Sequence, residues 1–193
     1  RSKSSEMLRA CRFLLDAGAN PCQRDSDGWA ALHSAVTTSN IAIVRLLLEK
    51  GADPNVAGGL QWYQNTPLHA VIRSDDREMG DREMVELLMD HGADADRRNK
   101  DGNPALHLAV REDKLDLLQA LLDKGADINC TDDYSRTALY LAAQKGKIDF
   151  VRELLRRGAD KSIEGHKQVS TSGTPLHAAT VQDFTEIARL LDR

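Results

Sequence analysis

Apolar residues along this chain fall in short paired runs at helical spacing. Each pair is split by a polar turn and followed by a stretch too rich in Gly, Asp and Asn to continue a helix. The second run of each pair ends on adjacent apolar residues and then a Gly-Ala-Asp or Gly-Ala-Asn triplet: RFLLDAGAN, RLLLEKGAD, VELLMDHGAD, QALLDKGAD and RELLRRGAD. Glycine just past the last apolar pair is a helix C-terminal signal, because it tolerates the left-handed backbone that closes the helix. The first run of each pair opens on a second marker: AALHSAV, TPLHAVI, PALHLAV, TALYLAA and TPLHAAT. The pattern predicts a repeating unit of helix, turn, helix and an extended hairpin loop.

The triplet glycines are Gly18, Gly51, Gly92, Gly125 and Gly158, at steps of 33, 41, 33 and 33 residues. A 33-residue unit that carries TPLHAA-like and LLLEKGADPN-like segments resembles the ankyrin repeat, over nearly the whole chain. The resemblance implies an all-α ankyrin-repeat solenoid: stacked helix-turn-helix units with β-hairpin fingers in one elongated domain. Full repeats are expected at 25–57, 58–98, 99–131 and 132–164. A partial first unit, 1–24, supplies only its second helix, and a last unit, 165–193, stops inside its second helix.

Departures from the period are informative. From marker Leu to triplet Gly is 19 residues in three units, but 24 from Leu68 to Gly92. The five extra residues equal the offset between two copies of Asp-Arg-Glu-Met, at 76–79 and 81–84. Five residues turn a helix by about 500°, roughly 140° out of phase. They cannot lengthen the second helix without rotating its apolar face away from its neighbours. Met84, Val85, Leu87 and Leu88 keep the second copy in phase, so the first copy is expected in a longer inter-helix loop. Two fingers are also long, VAGGLQWYQN and IEGHKQVSTSG, and Ser135 stands where the resemblance implies a finger glycine.

Composition narrows the chemistry. Aromatics are 4% of residues, so the core is expected to be aliphatic. Phe13, Phe150 and Phe184 fall in apolar phase on second helices and are expected inside it. A net charge of −4 and a pI near 5.9 argue against general nucleic-acid binding. No apolar run approaches the roughly 18 residues that span a bilayer. Cys11, Cys22 and Cys130 are odd in number and irregularly spaced, which suits a reducing compartment, cytoplasmic or nuclear.

His33, His69, His107 and His177 sit at one place in successive units, and Tyr140 fills that place in the unit between His107 and His177. Side chains spaced like packed helices, about 10 Å apart, cannot meet on one ion. The resemblance implies that they hydrogen-bond backbone between fingers. Phosphate-loop, nucleophile-elbow and HExxH motifs are absent from the sequence, so no catalytic residue, metal or cofactor is expected. Trp29, Trp62, Tyr63 and Tyr134 lie in finger segments instead, where exposed aromatics serve as interface anchors. Stacking the units builds one row from Trp29, Asn65, Asn103 and Arg136. A second row, at the first-helix ends, holds Thr37, Arg73, Arg111 and Gln144, with Lys100 and Lys145 beside the rows. In ankyrin repeats both rows line the concave groove.

The expected function is therefore a protein-interaction module, a scaffold or adaptor, forming part of a longer chain. Its partner-binding residues are expected to be Trp29, Trp62, Tyr63, Arg73, Lys100, Asn103, Arg111, Tyr134 and Arg136. The partner is expected to be a protein or peptide, acidic or mixed in charge, with an apolar anchor. Two alternatives are a regulatory or substrate-docking domain of a larger enzyme or channel, and an aromatic-cage reader of methylated lysine built on Trp29, Trp62 and Tyr63. Asn129, in LLDKGADIN, resembles sites of the asparaginyl hydroxylase that acts on ankyrin repeats. Deleting residues 76–80 restores the common spacing, and the melting temperature is expected to stay the same or rise. A large fall in that temperature on calorimetry would show that the first copy is packed.

Overall fold

The computed structural model describes residues 3–59, 64–74, 81–165 and 173–192. It divides into two units, Arg1–Asp94 and Ala95–Arg193. The first holds α1 (Lys3–Asp16), α2 (Ala31–Thr37), α3 (Ile41–Glu49), α4 (Pro67–Arg73) and α5 (Asp81–Asp90). The second holds α6 (Ala105–Arg111), α7 (Leu115–Asp123), α8 (Ala138–Gln144), α9 (Ile148–Arg156), α10 (Pro175–Val181) and α11 (Thr185–Asp192). In each unit short inner helices stack on one another (α2 on α4, then α6 on α8 on α10), each backed by its outer helix. This is all-α solenoid packing, and among the described residues no helix is long and apolar enough to cross a membrane.

Each letter of the Gly-Ala-Asp triplet has a physical task. Gly51 takes φ +86 and donates its N–H to Leu48, while the Ala52 N–H reaches Leu47. That pair of bonds is the Schellman closure of a helix. A Cβ at Gly51 would meet nothing within 4 Å, so backbone conformation, and not crowding, selects glycine there. Ala52 is buried under the closure. Asp53 accepts the Asn55 N–H at 2.8 Å in an Asx turn. Asn55 then ties this triplet to the next, accepting the Asp94 N–H at 2.7 Å and donating to the Gly92 carbonyl at 2.9 Å. Asn129 does the same in the second unit, accepting the Asp160 N–H at 2.9 Å.

The core is aliphatic, as composition requires, but the phenylalanines do not share one fate. Phe150 is 4% exposed. Phe184 is half-buried on the turn before α11, against Gly146. Phe13 is 73% exposed, beside Leu14 and Met7 on α1, which corrects the expectation that it is core. Its counterparts on α3, Leu46 and Leu47, are buried because α2 packs against α3. No described helix pairs with α1 in that way. The second Asp-Arg-Glu-Met copy opens α5, with Met84 and Val85 buried. The first copy lies outside the described residues.

Among the described residues the fingers form no hairpin ladder, and three of them close on single bridges, Arg24 to Ala30, Thr131 to Thr137 and Gly165 to Gly173. Ser135 adopts φ +58 where Gly28 and Gly102 take +80 and +73, so the turn keeps its geometry without the glycine. A side chain in this left-handed region costs about 1 kcal/mol. Ser135→Gly is expected to raise stability by about 0.5 kcal/mol, the strain relief being offset partly by a freer unfolded chain. The urea midpoint should rise at unchanged slope.

Candidate functional site

In the first unit the finger turn sets the site. Asp25 accepts the N–H groups of Asp27 and Trp29 at 3.0 and 2.8 Å, and its own N–H donates to the Trp29 carbonyl at 2.8 Å. The Trp29 ring then meets His33 edge to face, 4.8 Å between centroids at 78°. His33 is itself fixed at both nitrogens. Nδ1 accepts the Ala30 N–H at 3.3 Å and Nε2 donates to the Asn65 carbonyl at 3.0 Å. Burial pushes its pKa below the ordinary histidine value, so the ring is neutral at pH 7.

Beside this pair is a hollow of about 370 Å³, lined by Trp29, His33, Thr37, Asn65, Ala70, Arg73 and Ser74. Four of these are the first-unit members of the two rows built from the sequence. The Thr37 hydroxyl donates back to the His33 carbonyl at 3.1 Å. Ala70 is the residue that sequence reasoning missed. The matching positions on α6 and α8 carry Leu108 and Leu141, both buried. The matching positions on α2 and α10 carry Ser34 and Ala178, so the small side chain at 70 did not stand out in the sequence.

The second unit treats its row members differently. Asn103 is 4% exposed, its N–H donating to Asn99 Oδ1 and its amide to the Asp101 carbonyl at 3.2 Å. Arg136 is engaged by Asp132, with Nε and Nη2 donating to Oδ2 at 2.9 and 2.7 Å, and its guanidinium lies 4.7 Å from the Tyr134 ring centroid. Burial pushes the Asp132 carboxyl up, but hydrogen bonds from the Arg136 side chain and backbone and from the Tyr134 N–H outweigh this and hold it low. Asn103 and Arg136 are thus held within their own fingers. Lys100, Arg111 and Tyr134 (39% exposed) stand in solvent. Trp62 and Tyr63 lie outside the described residues. A second hollow, near Leu122, Ile128, Arg156 and Arg157, carries charges already paired, Arg157 with Asp123 and both arginines with Glu153.

His33, His69 and His107 serve backbone. His107 Nε2 donates to the Arg136 carbonyl at 2.6 Å, as His33 does to Asn65. His69 Nδ1 accepts the Thr66 N–H at 3.2 Å. His177 is exposed. Among the described residues no group of three potential metal ligands comes together.

A family profile for ankyrin repeats (3 copies) matches residues 2–58, 58–132, 77–165 and 115–192. The chain is similar to the E3 ubiquitin-protein ligase KEG of Arabidopsis thaliana, 30% identical over 54% of this chain and 6% of that protein. It is similar to human palmitoyltransferase ZDHHC13, 34% identical over 53% of this chain and 15% of that protein. Protein PhlB of Serratia liquefaciens is 37% identical over 55% of this chain and 44% of its own length. The chain therefore spans less than half the length of each of these relatives.

One histidine lacks a partner that its counterparts have. Ala30 and Thr66 give their N–H groups to His33 and His69, but Pro104 stands at the matching place and has none. His107 Nδ1 is buried without a hydrogen-bond partner among the described residues. Pro104→Thr supplies the N–H and is expected to stabilise the fold by about 1 kcal/mol at pH 7. Burial lowers the His107 pKa to about 4. The unfolded chain therefore takes up this proton first. The His107 contribution is complete above about pH 6.5 and is lost as pH falls toward 4, on the order of 3 kcal/mol in all. Urea titrations across that window should show a shallower decline for His107→Gln than for the parent.

Proposed function

Because the chain belongs to the ankyrin-repeat family, whose repeats generally serve as protein-interaction modules, we propose that it docks a partner protein or peptide on its fingers and inner-helix ends. In the first unit the docking residues are Trp29 and Arg73. In the second they are Lys100, Arg111 and Tyr134. The observation that carries the reading is the first-unit hollow, where a fixed indole and an exposed guanidinium meet at positions the core does not use. A surface already held by hydrogen bonds loses little conformational entropy on binding, so contact area converts to affinity efficiently. The chain contributes recognition and no chemistry of its own. Cys11, Cys22 and Cys130 are free thiols, which supports work in a reducing compartment, cytoplasm or nucleus.

A second reading has one observation in its favour. The relatives include a ubiquitin ligase and a palmitoyltransferase, of which the chain covers 6% and 15%. In this reading the repeats deliver a substrate or regulator to a catalytic domain elsewhere in a longer protein. Both readings place the contact on the same face. A benzophenone side chain at Thr37, on an inner-helix end, should cross-link a partner from cell extract. The same group at exposed Glu49 on α3 should not. Cross-linking from position 49 alone would move the docking face to the outer helices.

A further inference from the structure

We infer that the hollow in the first unit is an anchor pocket for a large apolar side chain, leucine or aromatic, flanked in its peptide by an Asp or Glu that pairs with Arg73. This rests on the protein-binding reading and adds the chemistry of the occupant.

Size comes first. At about 370 Å³ the hollow falls at the lower end of ligand sites, roughly 300–1,000 Å³. At about 30 Å³ per water it holds on the order of a dozen waters, ample for one large side chain. Trp29 and Ala70 are the apolar residues among its described lining. The indole is already oriented, by His33 against its face or edge and by the Asp25 turn behind its backbone. An apolar group that enters releases water and orders nothing new.

Charge decides what accompanies that group. His33 has both ring nitrogens engaged and is neutral, so Arg73 carries the only formal charge among the described lining residues. Ser74 and Asn65 add polar groups to the lining. A guanidinium beside an apolar wall suits a carboxylate, which it can bind with two parallel hydrogen bonds. The same charge opposes a methylated ammonium over Trp29, since like charges would share one hollow. A cage for such a cation also needs several rings around it. Among the described lining residues Trp29 and His33 are the only rings, and the His33 ring is committed to backbone.

The test selects 12-residue peptides from a random display library on the whole chain, then measures the synthesised consensus by fluorescence anisotropy. Selected peptides should pair a large apolar residue with an adjacent Asp or Glu. Ala70→Leu should fill the hollow and weaken binding at least about tenfold, and Trp29→Ala about thirtyfold, as for an interface hot spot. Arg73→Glu should weaken it about tenfold and recover affinity when the peptide acid becomes Lys. Circular dichroism confirms that each variant is folded, and Ala70→Leu and Arg73→Glu stand independently of Trp29→Ala. Peptides that bind Ala70→Leu and Arg73→Glu as well as the parent overturn the anchor pocket and leave the protein-binding reading intact. A preference for trimethyl-lysine peptides over acidic ones also overturns it. A selection that yields no binder counts against the protein-binding reading and this inference with it.

Discussion

Helices of seven to nine residues cannot hold themselves together in water, and their connecting fingers bring backbone N–H and C=O groups close to the core. In this protein three of those fingers close on single bridges, so a ladder does not satisfy these groups. Side chains do. A neutral histidine joins the start of its own inner helix to the carbonyl of the next finger, Ala30 and Asn65 for His33. Asp25, Asn99 and Asp132 each collect two N–H groups of their own finger. Asn55 and Asn129 bridge successive triplets. Without these polar bonds the aliphatic faces would still collapse, but the fingers would have no defined place, and neither would Trp29.

Much of this was legible in the chain. The period, the helix closure and the finger turns are local, and each needs one residue type at one spacing, so a letter string carries them. Of the two rows found by stacking units, the first-unit members share one place. Thr37, Asn65, Trp29 and Arg73 do meet around one hollow. What could not be read was the side chain's choice between solvent and its own finger. Asn103 and Arg136 occupy the same slot as Trp29, yet Asn103 bonds the Asp101 carbonyl and Arg136 folds onto Asp132. At Trp29 the turn's carboxylate, Asp25, takes the backbone N–H, and the ring lies against His33. Phe13 failed for a different reason. Helical phase says which face a residue occupies, but burial also needs a neighbour on that face, and α1 meets α3 without an inner helix of its own among the described residues.

Shared backbone and varied occupants explain how such repeats diverge. The residues that fix the fingers differ little from unit to unit, while the position of Ala70 varies, with Ser34, Leu108, Leu141 and Ala178 as its counterparts. In a close-packed stack a side chain three carbons shorter than Leu108 or Leu141 leaves space that neighbours fill poorly, because their backbones are pinned by these bonds. The rigidity that makes the stack stable is thus also what keeps the hollow open.

Arg73 serves the fold and the hollow at once. It ends α4, and Arg111 ends α6, where the carbonyls of the last turn carry partial negative charge. A cation there is favourable by about 0.3–1 kcal/mol even with no partner present. The helix end therefore accounts for a basic residue at 73, but not for the indole and the small side chain beside it. Thr37 and Gln144 end α2 and α8 without a charge, so the fold does not demand a cation at this position. The conjunction of Trp29, Ala70 and Arg73 in one hollow is what stability alone leaves unexplained, and it is that conjunction which binding would select.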